Sequence, residues 1–227
     1  MGVRGYVVGA CCAALTSSVA SAGPDWIERN DAGSSIGTAQ VPTRSSTNLT
    51  LSSLSGSLSS SLDQPDYEDL YFIRIANPGT FSIRPAFAEF DPVLYLFNIT
   101  VNGEGYGLLG NDDESPTSNL PKLMGSSTDG TMVIVTFPGD YVLAVTTQGR
   151  HPFSRSGDIF NLASPTEISG PDGPGGINPL EGWRGSGQTG RYGFTLEATE
   201  FPRTPAPGVA LTLIAGVVGL TGRRRRA

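Results

Sequence analysis

The sequence predicts an all-β fold, and three observations point to it. Thirty glycines and seventeen prolines among 227 residues leave little uninterrupted chain for long helices. Short apolar or alternating runs are bounded by Gly, Pro, Asn and Asp. No helical-period segment stands out between the two chain ends.

In chain order, strands are expected over 48–54, 70–75, 80–84, 93–98, 132–137, 141–146 and 191–198. The serine-rich stretch 45–61 and its border keep Leu49, Leu51, Leu54, Leu58 and Leu62 at spacings that suit an edge strand and turn. Segments 70–75 and 93–97 are apolar on both faces, as central strands of an antiparallel sandwich are. Asn77-Pro78-Gly79 and Pro138-Gly139-Asp140 each combine a proline that fixes φ with a glycine that permits positive φ, and read as hairpin links. The stretch 161–189 is rich in Gly, Pro, Asp and Ser and reads as a long surface loop, with Trp183 pinning it to the body. In the last strand Tyr192, Phe194, Leu196 and Ala198 alternate with Arg191, Gly193, Thr195 and Glu197, so one face is buried and one is wet.

Both ends are expected to lie outside this fold. Arg4 supplies a basic start, residues 6–15 an apolar stretch and Ala20-Ser21-Ala22 a small-x-small cleavage site. Residues 1–22 therefore read as a signal helix removed by signal peptidase, and 23–204 as the mature domain. At the other end stand Pro205, Ala206, Pro207 and Gly208, then an apolar run to Thr221, Gly222, and Arg223, Arg224, Arg225 and Arg226. At about 1.5 Å per residue the run makes a short transmembrane helix of roughly 20 Å, under the ~30 Å hydrocarbon core. Such an anchor suits transient membrane retention better than permanent residence.

This order of motif, short helix and arginines resembles the PEP-CTERM sorting signal of exported bacterial proteins, with Ala206 where the family most often carries Glu. The resemblance implies that 205–227 is recognised and cut by an exosortase-type membrane enzyme. An ordinary tail anchor with a positive-inside cluster is the other reading.

Cys11 and Cys12 are the only cysteines and leave with the signal peptide, so the mature chain offers neither thiol catalysis nor disulfides. All 21 acidic residues stay in the mature segment while five arginines leave, for a net charge near −11. That surface repels nucleic acid and tolerates divalent cations.

The middle of the chain carries a second resemblance. Glu28-Arg29-Asn30-Asp31, Ala39-Gln40, Gly56-Ser57-Leu58, Asp66-Tyr67-Glu68-Asp69-Leu70-Tyr71-Phe72, Phe90-Asp91-Pro92-Val93-Leu94-Tyr95-Leu96-Phe97, Gly110-Asn111-Asp112-Asp113 and Pro138-Gly139-Asp140-Tyr141 occur in that order. Over roughly 28–147 this is similar to the bacterial pre-peptidase C-terminal (PPC) domain. The resemblance implies a non-catalytic, jelly-roll-like β-sandwich. It also implies calcium held by an acidic N-terminal segment and a carboxylate pair before a central strand, here Glu28, Asn30 and Asp31 with Asp66 and Asp69.

Calcium takes six to eight hard oxygen ligands, which these residue types supply. The same residues also read as solvated turns, because Asp and Asn bond their own backbone there. Asn111-Asp112-Asp113-Glu114 forms another acidic cluster with the same pair of readings, and Asp91 reads as a ligand or as a strand cap.

Catalytic constellations are scarce. His151 is the only histidine and lies in a loop-like Arg150-His151-Pro152-Phe153, which leaves zinc chemistry a single imidazole and no mature thiolate, and a serine triad without a marked serine. Tyr67, Tyr106, Trp183 and Tyr192 form either a sugar-stacking platform or core. The expected function is that of an exported, non-enzymatic surface or matrix protein, structural or adhesive, among envelope or exopolysaccharide components. A calcium-stabilised carbohydrate- or protein-binding module is the alternative.

Overall fold

The computed structural model describes residues 25–44, 47–59 and 65–203. The expected signal segment 1–22, the expected sorting tail 205–227 and Leu62 lie outside the described residues. In chain order the strands are β1 (Trp26–Ile27), β2 (Ser53–Leu58), β3 (Glu68–Ile75), β4 (Ser82–Ala88), β5 (Pro92–Ile99), β6 (Gly105–Asn111) and β7 (Leu123–Met124). They continue as β8 (Gly139–Thr147), β9 (His151–Ser154), β10 (Gly157–Asp158), β11 (Gly182–Arg184), β12 (Gly190–Glu197) and β13 (Thr199–Glu200). Among the described residues the only helix is the 3-10 turn Pro78–Thr80. The all-β expectation holds.

Two five-stranded sheets, ordered β1-β2-β12-β4-β7 and β13-β3-β8-β5-β6, face each other, and a three-stranded sheet β10-β9-β11 adds a further layer. Pairing between these strands is antiparallel except for β1 with β2. The two-residue period of a strand decides which core each side chain joins. Tyr71, Ile73, Ile75, Leu94, Leu96, Leu143 and Val145 point from the second sheet toward Leu54, Ile83, Tyr192, Phe194 and Leu196 of the first. Their neighbours Leu70, Phe72, Val93, Tyr95, Phe97, Val142 and Ala144 form a second core with Ile36, Ala39, Ile159, Phe160 and Trp183. The second sheet is therefore buried on both faces, which explains the continuous apolar runs of β3, β5 and β8.

Several boundaries differ from expectation. The strand expected over 48–54 enters its sheet only at Ser53, because 48–52 first runs along the sandwich edge, where Leu51 N–H donates to Thr199 O at 3.2 Å and Thr50 bridges Glu200. Residues 132–137 are not a strand. There Met132 sits at φ +59°, and side chains take over from a ladder: Asp129 accepts from Thr131 N–H at 2.9 Å, and Ser127 Oγ from Val133 N–H at 3.1 Å. Pro138-Gly139-Asp140 thus opens β8 and closes no hairpin. Asn77-Pro78-Gly79 joins β3 to β4, which lie in different sheets, so it is a crossover between layers.

The stretch 161–189 is no free surface loop. It contains β11, bridges Gly110 through Ser169 and Tyr106 through Pro179, and buries Ile168, Ser169 and Asn178. Trp183 pins it as expected: the indole is 9% exposed, packs on Tyr95 and Phe97, and donates Nε1–H to Ser34 O at 2.8 Å. Trp183 and Tyr192 are accordingly core residues and not parts of an exposed sugar-stacking platform.

Candidate metal centre

The edge of the first sheet builds the site. β1 lies beside β2, and the chain after it is held by Gln40, whose Oε1 accepts from Trp26 Nε1–H at 2.9 Å and Arg29 N–H at 3.0 Å, and whose Nε2 donates to Arg29 O at 2.9 Å. Arg29 stacks over the Trp26 ring at 4.6 Å. Asn30 takes a left-handed conformation, φ +63°, which Asn tolerates better than most residues. These constraints bring Glu28 and Asp31 onto Asp69 of β3, and one carboxylate oxygen of each lies within 4.8 Å of the others.

Of the five residues expected as ligands, three therefore converge. Asp66 lies close enough for its charge to act on the group, and Asn30 is exposed between Glu28 and Asp31. Glu68, between the two Asp residues in sequence, points elsewhere and pairs with Arg150.

Asp69 is the deepest member, fully buried. Its Oδ2 accepts from Tyr192 Oη–H at 2.5 Å, and the two hydroxyls of Tyr192 and Tyr71 are 2.7 Å apart. Its Oδ1 is shut off from solvent and has no hydrogen-bond donor among the described residues. Gly56 of β2 makes room for this arrangement: a Cβ there would meet the Tyr192 hydroxyl and come within 2.7 Å of that of Tyr71. Neither tyrosine was marked in the sequence as a partner of Asp69: Tyr71 sits in a continuous apolar run, and Tyr192 read only as core or as part of a sugar-stacking platform.

Glu28 is partly neutralised by backbone donors, Oε2 accepting from Ser57 N–H at 2.8 Å and Oε1 from Ala32 N–H at 3.2 Å. Asp31 Oδ1 accepts from Gly33 N–H at 2.6 Å. Among the described residues no Lys or Arg forms an ion pair with Glu28, Asp31, Asp66 or Asp69. Burial first, then the Glu28 charge, pushes the Asp69 carboxyl up to about 9. Burial, then the Asp31 charge, pushes Asp66 up to about 7, and burial also raises Glu28. An all-oxygen group of this kind can hold a hard divalent cation, which would neutralise the charge and give Asp69 Oδ1 a partner.

The other acidic stretch divides. Asn111 is spent on structure, donating to Asp113 O at 3.0 Å and Glu167 O at 2.8 Å and accepting from Lys122 N–H at 2.7 Å. Glu114 pairs with Lys122 at 3.1 Å. Asp112 and Asp113 instead meet Asp91. His151 is exposed at the start of β9. Comparison with protein-family models, curated proteins and solved structures found no match.

Proposed function

We propose that this chain is an exported, non-enzymatic β-sandwich, delivered to the cell surface or extracellular matrix for a structural or adhesive role. Calcium on Glu28, Asp31 and Asp69, with Asp66 beside them, fastens its N-terminal segment to the sheet. The observation that carries this reading is the meeting of residues 28–31 with Asp69 around a buried, unpartnered carboxylate oxygen. Those are the two stretches that the likeness to PPC domains pairs as ligand segments. The facing five-stranded sheets support the finer, jelly-roll-like comparison.

Export fits the same picture. The first and last strands, β1 and β13, both pair within the body, each as an edge strand of a five-stranded sheet. Among the described residues no helix is long and apolar enough to cross a membrane. In this account signal peptidase trims the front, an exosortase-type enzyme handles 205–227 after brief membrane retention, and the domain remains among envelope or exopolysaccharide components.

Mass spectrometry of the native protein, taken from separated cell fractions, tests the assignment. The expected species starts near Gly23, ends before the apolar run and is found in the envelope or medium. An untrimmed Met1-to-Ala227 species in the cytosol would contradict it.

A further inference from the structure

We infer that Asp91, Asp112 and Asp113 form a second divalent-cation site, of the calcium class, at the junction of β5 and β6. β5 and β6 are antiparallel neighbours, with Leu94 opposite Asn111, so the residue before one strand and the two after the other must converge. One carboxylate oxygen of each of the three lies within 4.8 Å of the others.

Convergence of acids alone would be an ordinary solvated turn. Here Asp112 is 9% exposed, and its Oδ1 has no hydrogen-bond partner and no access to solvent. Asp91 Oδ1 is in the same condition. Buried polar atoms in folded proteins are nearly always satisfied, and a carboxylate oxygen can be satisfied only by a donor or a cation.

The neighbouring nitrogen donors do not reach these two oxygens. Lys122 Nζ pairs with Glu114 at 3.1 Å, the Lys122 amide serves Asn111, and Asn119 Nδ2 reaches only Oδ2 of Asp91, at 3.3 Å. The Tyr95 hydroxyl, itself buried without a partner, feels the Asp112 charge. Burial and mutual repulsion push Asp112 up to about 6 and raise Asp91, and burial raises Asp113; a bound cation would remove all three penalties.

The donor set excludes soft metals, since it offers oxygen and neither imidazole nor thiolate. Calcium fits better than magnesium because three carboxylates on two strand ends form an irregular cage, while magnesium requires near-octahedral geometry and keeps its waters. The site would tie the entry of β5 to the exit of edge strand β6 and to the turn that follows it. It stands apart from the Glu28, Asp31 and Asp69 group and does not depend on it.

Calcium titration of the full chain by isothermal calorimetry, after chelator treatment, decides the matter. Wild type should bind two equivalents, while Asp112→Asn and Asp113→Asn should each bind one, still removable by Glu28→Gln. Asp113 is only half-buried, so its isosteric variant keeps the test readable if Asp112→Asn fails to fold by circular dichroism. One wild-type equivalent, lost in Asp112→Asn or Asp113→Asn but kept in Glu28→Gln, would uphold this site and sink the first. One equivalent lost only in Glu28→Gln, or equal stoichiometry in wild type and both Asp variants, would overturn the inference.

Discussion

Arg150→Ala should destabilise the protein by about 3–5 kcal/mol, the range for removing one partner of a buried ion pair. Glu68, 5% exposed at the start of β3, is held in a two-pronged pair: Arg150 Nε donates to Oε2 at 2.7 Å and Nη2 to Oε1 at 2.9 Å. The remaining Arg150 nitrogen, Nη1, donates to Gly185 O, and the guanidinium lies 5.7 Å from the Tyr67 ring. One side chain thus joins β3, the turn after β8 and the turn after β11. Without it, Glu68 is left as a buried charge with no counterion, which accounts for most of the loss. Thermal melts should show a midpoint about 6–20 °C lower for a domain of this size. Replacing both partners, Glu68→Leu with Arg150→Met, should cost less than Arg150→Ala alone, because no charge is stranded. Arg191→Ala is the contrast. Its pair with Glu89 is exposed, and its loss should leave the midpoint near wild type. Equal effects of Arg150→Ala and Arg191→Ala would refute the buried-pair account.

Trp183→Ala should be comparably severe, about 3–5 kcal/mol, as for other large core aromatics cut to alanine. The indole closes the second core over Tyr95 and Phe97, at centroid distances of 6.0 and 6.2 Å, and its Nε1–H tethers the N-terminal segment at Ser34. Trp183→Phe keeps ring packing and loses the tether, so it should cost only about 1 kcal/mol plus residual packing. Limited proteolysis should then find 29–44 and 161–189 cut before the central strands in the alanine variant. Uniform resistance to the protease would mean that Trp183 is not what holds this layer down.

Much of the sheet framework was legible because burial on both faces, or on one, writes itself into sequence. β3, β5 and β8 read as continuous apolar runs, and β12 as alternation. β6 was not legible, since Gly105, Gly107 and Gly110 depress its strand signal. Those glycines are small because large side chains occupy the space: a Cβ on Gly107 would come within 2.9 Å of Phe160, and one on Gly110 within 2.8 Å of Tyr95. The short strands β9 and β11 hide among Pro, Gly and Ser for want of length. At the candidate metal centre, residue types and the likeness to PPC domains pointed to Glu28, Asn30, Asp31, Asp66 and Asp69, of which Glu28, Asp31 and Asp69 converge. Local spacing could not show that Tyr192, 123 positions from Asp69, supplies its one donor. Nor could it pair Asp91 with Asp112, a contact that exists only through β5 and β6 register.

Calcium dependence of melting across pH tests the central claim most directly. In metal-free protein Asp69 is raised from the ordinary carboxylate value to about 9, so between those limits the folded state binds more protons than the unfolded one. That stabilising proton is fully held at low pH, and stability falls as pH rises toward 9. Calcium requires the ionised carboxylates and should offset the loss, by about 2.7 kcal/mol at a hundredfold excess over Kd. The gap between calcium and chelator melts of the intact protein should therefore widen from about pH 5 to about pH 8, reaching about 5–10 °C, and should shrink in Glu28→Gln. Superimposable calcium and chelator curves at every pH would contradict the cation-fastened sandwich.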